Sequence, residues 1–256
     1  MGRLTDYADP EQGSDSVNEF SRGNTSPWIA APFGMTHWAP QTEEGPRFYK
    51  STARQLQGIR ATHQPSPWIG DYGHFLVMPQ VGARLFGTRR QSSVFRRRDT
   101  TIRPYLFQTF LGRYQTGLAM TATERCACFS FQFPADRAGR ILIQGLEGDS
   151  WFSVDGRRIE GFTRGNSGGV PDGFACYIYA EVDTDVSGSC LYVGDDVYRG
   201  NGESEQIGVS VDLESGGQAT LRIATSFISV AQAKRNFDLE VAGPSFEALR
   251  DSNEAI

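Results

Sequence analysis

Phe129, Phe131 and Phe133 alternate with Ser130 and Gln132, and the same spacing of two returns three times in the second half of the chain. It joins Phe174, Cys176, Ile178, Ala180 and Val182; Ile207, Val209, Val211 and Leu213; and Leu221, Ile223, Thr225 and Phe227. Successive side chains of a strand point to opposite faces, so each run places an apolar face behind a wetter one. Turn signals separate the runs, among them Ser215-Gly216-Gly217 and an Asp155-Gly156 step that predicts a tight hairpin before Arg157, Arg158 and Ile159. This pattern specifies antiparallel sheets packed face to face. With 29 Gly and 12 Pro among 256 residues, the chain is poor in helix formers and long enough to bury a sizeable core. The expected fold is mainly β, a large antiparallel sandwich with one or two short helices near the C-terminus.

Elements outside those runs are placed as follows. Residues 1–20 are acidic and Gly/Ser-spiced and predict an extended lead-in, and residues 47–50 a short strand. Residues 74–78 form a strand apolar on both faces, ended by Pro79. Residues 101–111 and 114–123 form two strands joined at Gly112, and residues 140–144 and 151–156 two short ones. Ser229 caps a helix that ends near Asn236, residues 238–242 return as a strand, and Ser245 opens a second helix. The division that follows is a sandwich over residues 1–243 and the start of a linking helix over 244–256.

All three histidines (His37, His63, His74) and three of the four tryptophans (Trp28, Trp38, Trp68) fall between residues 28 and 74. Pro and Gly interrupt this span, which predicts ordered loops that present flat rings and polar tips rather than a periodic strand. The bland alternative is that the tryptophans plug one end of the sandwich.

A net charge of −5 argues against nucleic acid as a partner. The arginine-rich residues 84–98 predict a solvated surface loop. Cys126, Cys128, Cys176 and Cys190 are expected to be buried free thiols, with the first two on opposite faces of a strand. No run of apolar residues reaches the length of a membrane span, and residues 1–23 carry no apolar leader core, so the expected location is cytoplasmic.

Three blocks carry a resemblance: PFGM at 32–35, HQPSPWIGDYG at 63–73 and ATSFISVAQAKRN at 224–236. In this order they resemble the N-terminal domain of glycoside hydrolase family 92, the calcium-dependent exo-α-mannosidases. The resemblance implies a sandwich of the galactose-mutarotase-like supersandwich type. It also implies an enzyme that hydrolyses terminal α-linked mannose from N-glycan-type oligosaccharides by inversion. The acid, the base and most calcium ligands would lie in a following helical barrel domain, the partner of this one. The sandwich would contribute loops that wall the mannose pocket: His63, Trp68 and Asp71, with Phe33, Gly34 and Met35. An indole face covers the C–H patch of a sugar ring while imidazole and carboxylate bond its hydroxyls. The sequence departs from the family at Gln64, Pro65, Ser66 and Pro67, where many members carry a Gly-rich run.

Inversion needs two carboxyl groups, about 6.5–9.5 Å apart, and Asp71 is the only acid in residues 60–73. Beside Gly70 and Gly73 it is equally a turn-forming residue, and both roles stay open. His63, Asp71 and His74 have a weak spacing for a metal site. The chain by itself is therefore expected to be inactive and to supply no metal site. The alternatives to half of an enzyme are a stand-alone carbohydrate-binding module and a structural interaction domain.

Overall fold

The computed structural model describes residues 7–14, 25–64 and 70–256. Two large antiparallel sheets stack face to face. The first has seven strands, in the order His37–Gln41, Gly58–Thr62, Phe75–Val81, Gly139–Gly145, Gly208–Leu213, Val186–Val193 and Asp196–Tyr198. The second has nine: Asn201–Glu205, Asp149–Asp155, Arg158–Thr163, Cys176–Val182, Gln218–Ser226, Cys126–Gln132, Thr116–Ala122, Leu106–Leu111 and Thr101–Arg103. The alternating runs meet between them as expected. Phe129, Phe131 and Phe133 pack with Ile178, Val209, Val211, Leu221 and Ile223 in one continuous apolar core. The Asp155 hairpin also forms: Asp155 pairs with Arg158, and Gly156 supplies the left-handed backbone (φ 57°) of the turn between them.

Pro did not exclude strand where a neighbour was missing. His37–Gln41 is a strand that includes Pro40, tolerated because it lies at the edge of its sheet. Trp38 is therefore not a loop residue; it is fully buried, edge-on to Phe75 (5.6 Å) and Phe129 (5.5 Å). Phe75–Val81 likewise continues through Pro79, since its pairing with Gly58–Thr62 stops at Val77 and leaves a hydrogen-bonded neighbour on one side only. Residues 47–50 are not a strand. Residues 101–111 are two strands, Thr101–Arg103 and Leu106–Leu111, folded back on each other at Pro104 and Tyr105.

Two helices cover the outer face of the nine-stranded sheet. Helix α1, Val230–Glu240, starts at Ser229, whose hydroxyl accepts from the Gln232 amide at 3.0 Å. It takes up the first three residues of the predicted strand at 238–242 because Ala233 and Phe237, four residues apart, lie on one face, and Val241 at its C-terminal cap extends the buried stripe. Helix α2, Phe246–Glu254, is capped by Ser245 as expected. Phe237, Val241, Phe246 and Leu249 pack on Leu106, Tyr179 and Ala224, together with both Cys126 and Cys128. The two thiols share a face, as residues two apart on a strand must, which corrects the opposite-face expectation. All four cysteines are free and buried.

The outer face of the seven-stranded sheet is roofed by loops. Phe86 stacks on Tyr192 at 3.9 Å, and Phe48 and Tyr49 cover Ala39. The arginine-rich segment is a surface loop only in part: Ser93–Val94 pairs with Gln55–Leu56 and Phe95 enters the core, while its cations meet acids, Arg84 with Asp212, Arg89 with Glu44, Arg90 with Asp195 and Arg97 with Glu11.

Candidate functional site

One end of the sandwich gathers the turns around residues 31–36, 70–74, 123–125 and 164–175 with the segment after Ser226. All three resemblance blocks reach this end. The Met35 amide donates to the Glu124 carbonyl at 2.6 Å, Thr36 meets Thr225 at 2.7 Å, and Tyr72 bridges to Asn166.

Asp71 is the knot of this end. Its Oδ2 accepts from Arg60 Nε (3.0 Å), Arg60 Nη2 (2.8 Å) and Thr62 Oγ1 (2.8 Å), and its Oδ1 accepts from the amides of His63 and Tyr72, both at 2.8 Å. Burial alone would raise the pKa of this carboxyl. The Arg60 guanidinium and the converging donors outweigh burial and hold it below the usual carboxylate range. A carboxylate bonded to the His63 amide and to its own successor's amide ties the backbone at these two positions together. Arg60 also donates to Gln41 Oε1 (3.2 Å) and lies over the Phe48 ring at 4.7 Å.

His63 is buried. Its Nδ1 lies 2.6 Å from the Tyr72 carbonyl, which only accepts, so Nδ1 carries the proton and Nε2 accepts from Thr36 Oγ1 at 3.1 Å. Burial lowers its pKa to about 4, against the opposing pull of Asp71. The ring stacks on Tyr72 (5.2 Å) and meets Phe227 edge-on (4.8 Å), and Phe174 stacks on Phe227 from the other side. His74 is fully buried between two carboxylates, with Nδ1 3.7 Å from Asp71 Oδ2 and Nε2 3.6 Å from Glu147 Oε2. Facing that imidazole, Glu147 is held below its ordinary pKa.

Phe33 is fully exposed and sits in the left-handed region, φ 60°. For a bulky residue this is strained backbone, of the sort that collects at binding sites. Gly34 is packed so closely that a Cβ would lie 3.2 Å from the Ala31 carbonyl and 3.3 Å from that of Glu124. Met35 is half-buried. Ile228, three residues after the Thr225 that meets Thr36, is also exposed. Trp68 lies outside the described residues.

Of the six predicted site residues, then, Phe33, Gly34 and Met35 form one turn at this end, and His63 and Asp71 lie beneath it within a buried hydrogen-bonded network. Sequence reasoning missed Arg60, Thr36, Tyr72 and Phe227. Arg60 was signalled by its place in the strand, between apolar Ile59 and Ala61, and Phe227 by its place in the third block. Among the described residues no three His, Cys, Asp or Glu side chains are grouped to hold a metal ion. Asp71, saturated by donors, is in no position to move a proton. The described residues of this end can present an aromatic ring and backbone amides.

Residues 7–226 match the family model described as the glycosyl hydrolase family 92 N-terminal domain. Among solved structures, a family GH92 inverting mannosidase from Bacteroides thetaiotaomicron aligns over 100% of this chain and 36% of its own, at 32% identity and a TM-score of 0.93. A family GH92 α-mannosidase from the same organism, solved with mannoimidazole, aligns over 99% of this chain and 36% of its own, at 22% identity and a TM-score of 0.83. The chain thus spans about a third of the length of these structures. No curated protein matches it.

Proposed function

Since the chain belongs to the glycosyl hydrolase family 92 N-terminal domain family, we propose that it is the sandwich half of an inverting α-mannosidase that removes terminal α-linked mannose from N-glycan-type oligosaccharides. The turn of Phe33, Gly34 and Met35, with the loop anchored by His63 and Asp71 and bearing Trp68, walls the sugar pocket. A helical domain of the same polypeptide, entered beyond α2 with residues 244–256 as its lead, closes the other side. It supplies the two carboxyls that protonate the leaving oxygen and activate water. The calcium ion implied by the family does not fit the donors found among the described residues, where no three metal-ligating side chains group together and both oxygens of Asp71 are engaged. Its ligands belong to the helical domain. Four unpaired buried thiols support a reducing, cytoplasmic location, testable by cell fractionation.

The observation that carries this reading is Phe33, a large apolar side chain held in strained backbone and left wholly in water. Such a residue is covered by nothing among the described residues, and a surface that meets it would account for it. In the two-domain enzyme, Phe33→Ala should lower kcat/KM on an aryl α-mannoside while leaving the melting temperature of the sandwich unchanged. Wild-type kinetics in that variant would remove the support.

A further inference from the structure

A cavity of about 410 Å³ opens on the outer face of the seven-stranded sheet, to the side of the end described above. Gln41, Arg60 and Gln144 line it from the sheet, and Glu44, Thr88, Glu147 and Gln206 are among the residues that rim it. Arg60 and Gln144 belong to the two strands that flank Phe75–Val81, both in register with Leu76 between them, so the three form one row on this face. An outer sheet face is ordinarily solvated or covered by apolar side chains. This one is covered by apolar side chains only in part: beside Leu76, Phe48 and Phe86, three large polar side chains are buried there, with Gln144 only 6% exposed. The Gln144 Oε1 has no hydrogen-bond partner among the described residues. A buried acceptor left unpaired costs about 1–3 kcal/mol, and a ligand that donates to it recovers that cost. At the rim, Gln206 is exposed and held in left-handed backbone, φ 54°, a strained conformation for a residue with a side chain.

We propose that this cavity is a binding site for a neutral saccharide ring, separate from the turn of Phe33 and independent of the function assigned to that turn. The lining decides the ligand class. The amides of Gln144 and Gln206 each offer a donor and an acceptor, as a sugar hydroxyl does in return, while the Gln41 amide already donates to Gln57 and accepts from Arg60. Of the five N–H donors of Arg60, three are engaged by Asp71 and Gln41, which leaves two. The charge of Arg60 is already met by Asp71, and Glu44 and Glu147 stand at the rim, so an anion finds no free cation there. A cation would meet the guanidinium, and Glu44 is itself engaged by Arg89 at 2.9 Å and by Thr88. Leu146 is the one apolar side chain of the lining, too little for a hydrophobic ligand. The volume lies within the range of small-molecule sites.

Calorimetry and saturation-transfer NMR on this chain, with methyl α-mannoside and methyl β-glucoside as probes, test the site. Either glycoside should bind with a Kd on the order of millimolar. Gln144→Leu and Gln206→Ala should each weaken binding roughly tenfold or more, the effect of one lost hydrogen bond, while Lys234→Ala, on the helix that covers the other sheet, leaves it unchanged. Should Gln144→Leu fail to fold by circular dichroism, Gln206→Ala decides alone, since that side chain is exposed. Absence of glycoside binding, or binding indifferent to the glutamine substitutions, overturns the proposal. Binding lost in Phe33→Ala but kept in the glutamine variants also overturns it, and leaves the assignment of the end surface standing.

Discussion

Arg60 and Asp71 meet below the rim of the sandwich with two guanidinium N–H groups converging on a single carboxylate oxygen, at 2.8 and 3.0 Å, both side chains almost wholly out of water. The strand that carries the arginine and the loop that carries the aspartate are thereby locked together. The same carboxylate accepts from the amides of His63 and Tyr72, so one residue holds the strand and both of these backbone positions together.

Removing one partner of this pair leaves a buried charge unanswered. Asp71→Ala should destabilise the domain by about 3–5 kcal/mol, measured by urea denaturation. Replacing both residues, Arg60→Met with Asp71→Leu, should cost less than the aspartate substitution alone. If the two effects simply add, the pair is not coupled as described.

His63 makes stability depend on acid. Its folded pKa is depressed to about 4 from the ordinary 6.5, so between these values the unfolded chain binds a proton that the folded chain refuses. Stability is then fully present above pH 6.5 and falls as the pH drops toward 4. At about 1.4 kcal/mol per pH unit, the loss from this residue is of order 3 kcal/mol. Chemical denaturation of the wild type and of His63→Gln across that window checks it. The variant should show a shallower decline, and identical slopes would exclude His63 as the source.

Phe33 trades stability for surface. Glycine relieves left-handed backbone, so Phe33→Gly should leave the isolated domain no less stable and should raise its stability by up to about 1 kcal/mol. Thermal melting of the domain measures this. A clear loss of stability would mean that the ring is held by contacts within the domain after all.

Gly73 should tolerate nothing larger. It has φ 65°, and an added Cβ would fall 2.6 Å from that of Cys176 and 3.1 Å from the Phe227 ring. Gly73→Ala combines backbone strain with overpacking and should cost roughly 2–4 kcal/mol. A melting temperature equal to the wild type would contradict the packing of Tyr72, Phe174 and Phe227 around this loop.

The sheets were legible because alternation is a local property that burial enforces residue by residue, as at Phe129, Phe131 and Phe133. Helix α1 was legible at its start, where Ser229 is a local cap, and misplaced at its end, where packing of Phe237 and Val241 against distant Cys126 and Tyr179 overrides the strand-like run at 238–242. Pro40 and Pro79 misled for a related reason. Whether a strand has a neighbour on the side that proline faces is a matter of sheet order, which no local pattern encodes. At the candidate site the turn of Phe33 and the loop of His63 were both visible as motifs. That Asp71 binds Arg60 eleven residues earlier, and that Thr36 joins His63 to Thr225, depends on three segments meeting at one end, so these partnerships were not visible.

The central claim is that this chain holds one wall of a mannose pocket and none of its reactive carboxyls. Hydrolysis of an aryl α-mannoside, followed for the chain alone and for the two-domain protein with calcium present, tests it most directly. The account predicts no turnover above background by the chain and full activity once the helical domain is joined to it. Appreciable hydrolysis by the chain alone would contradict it.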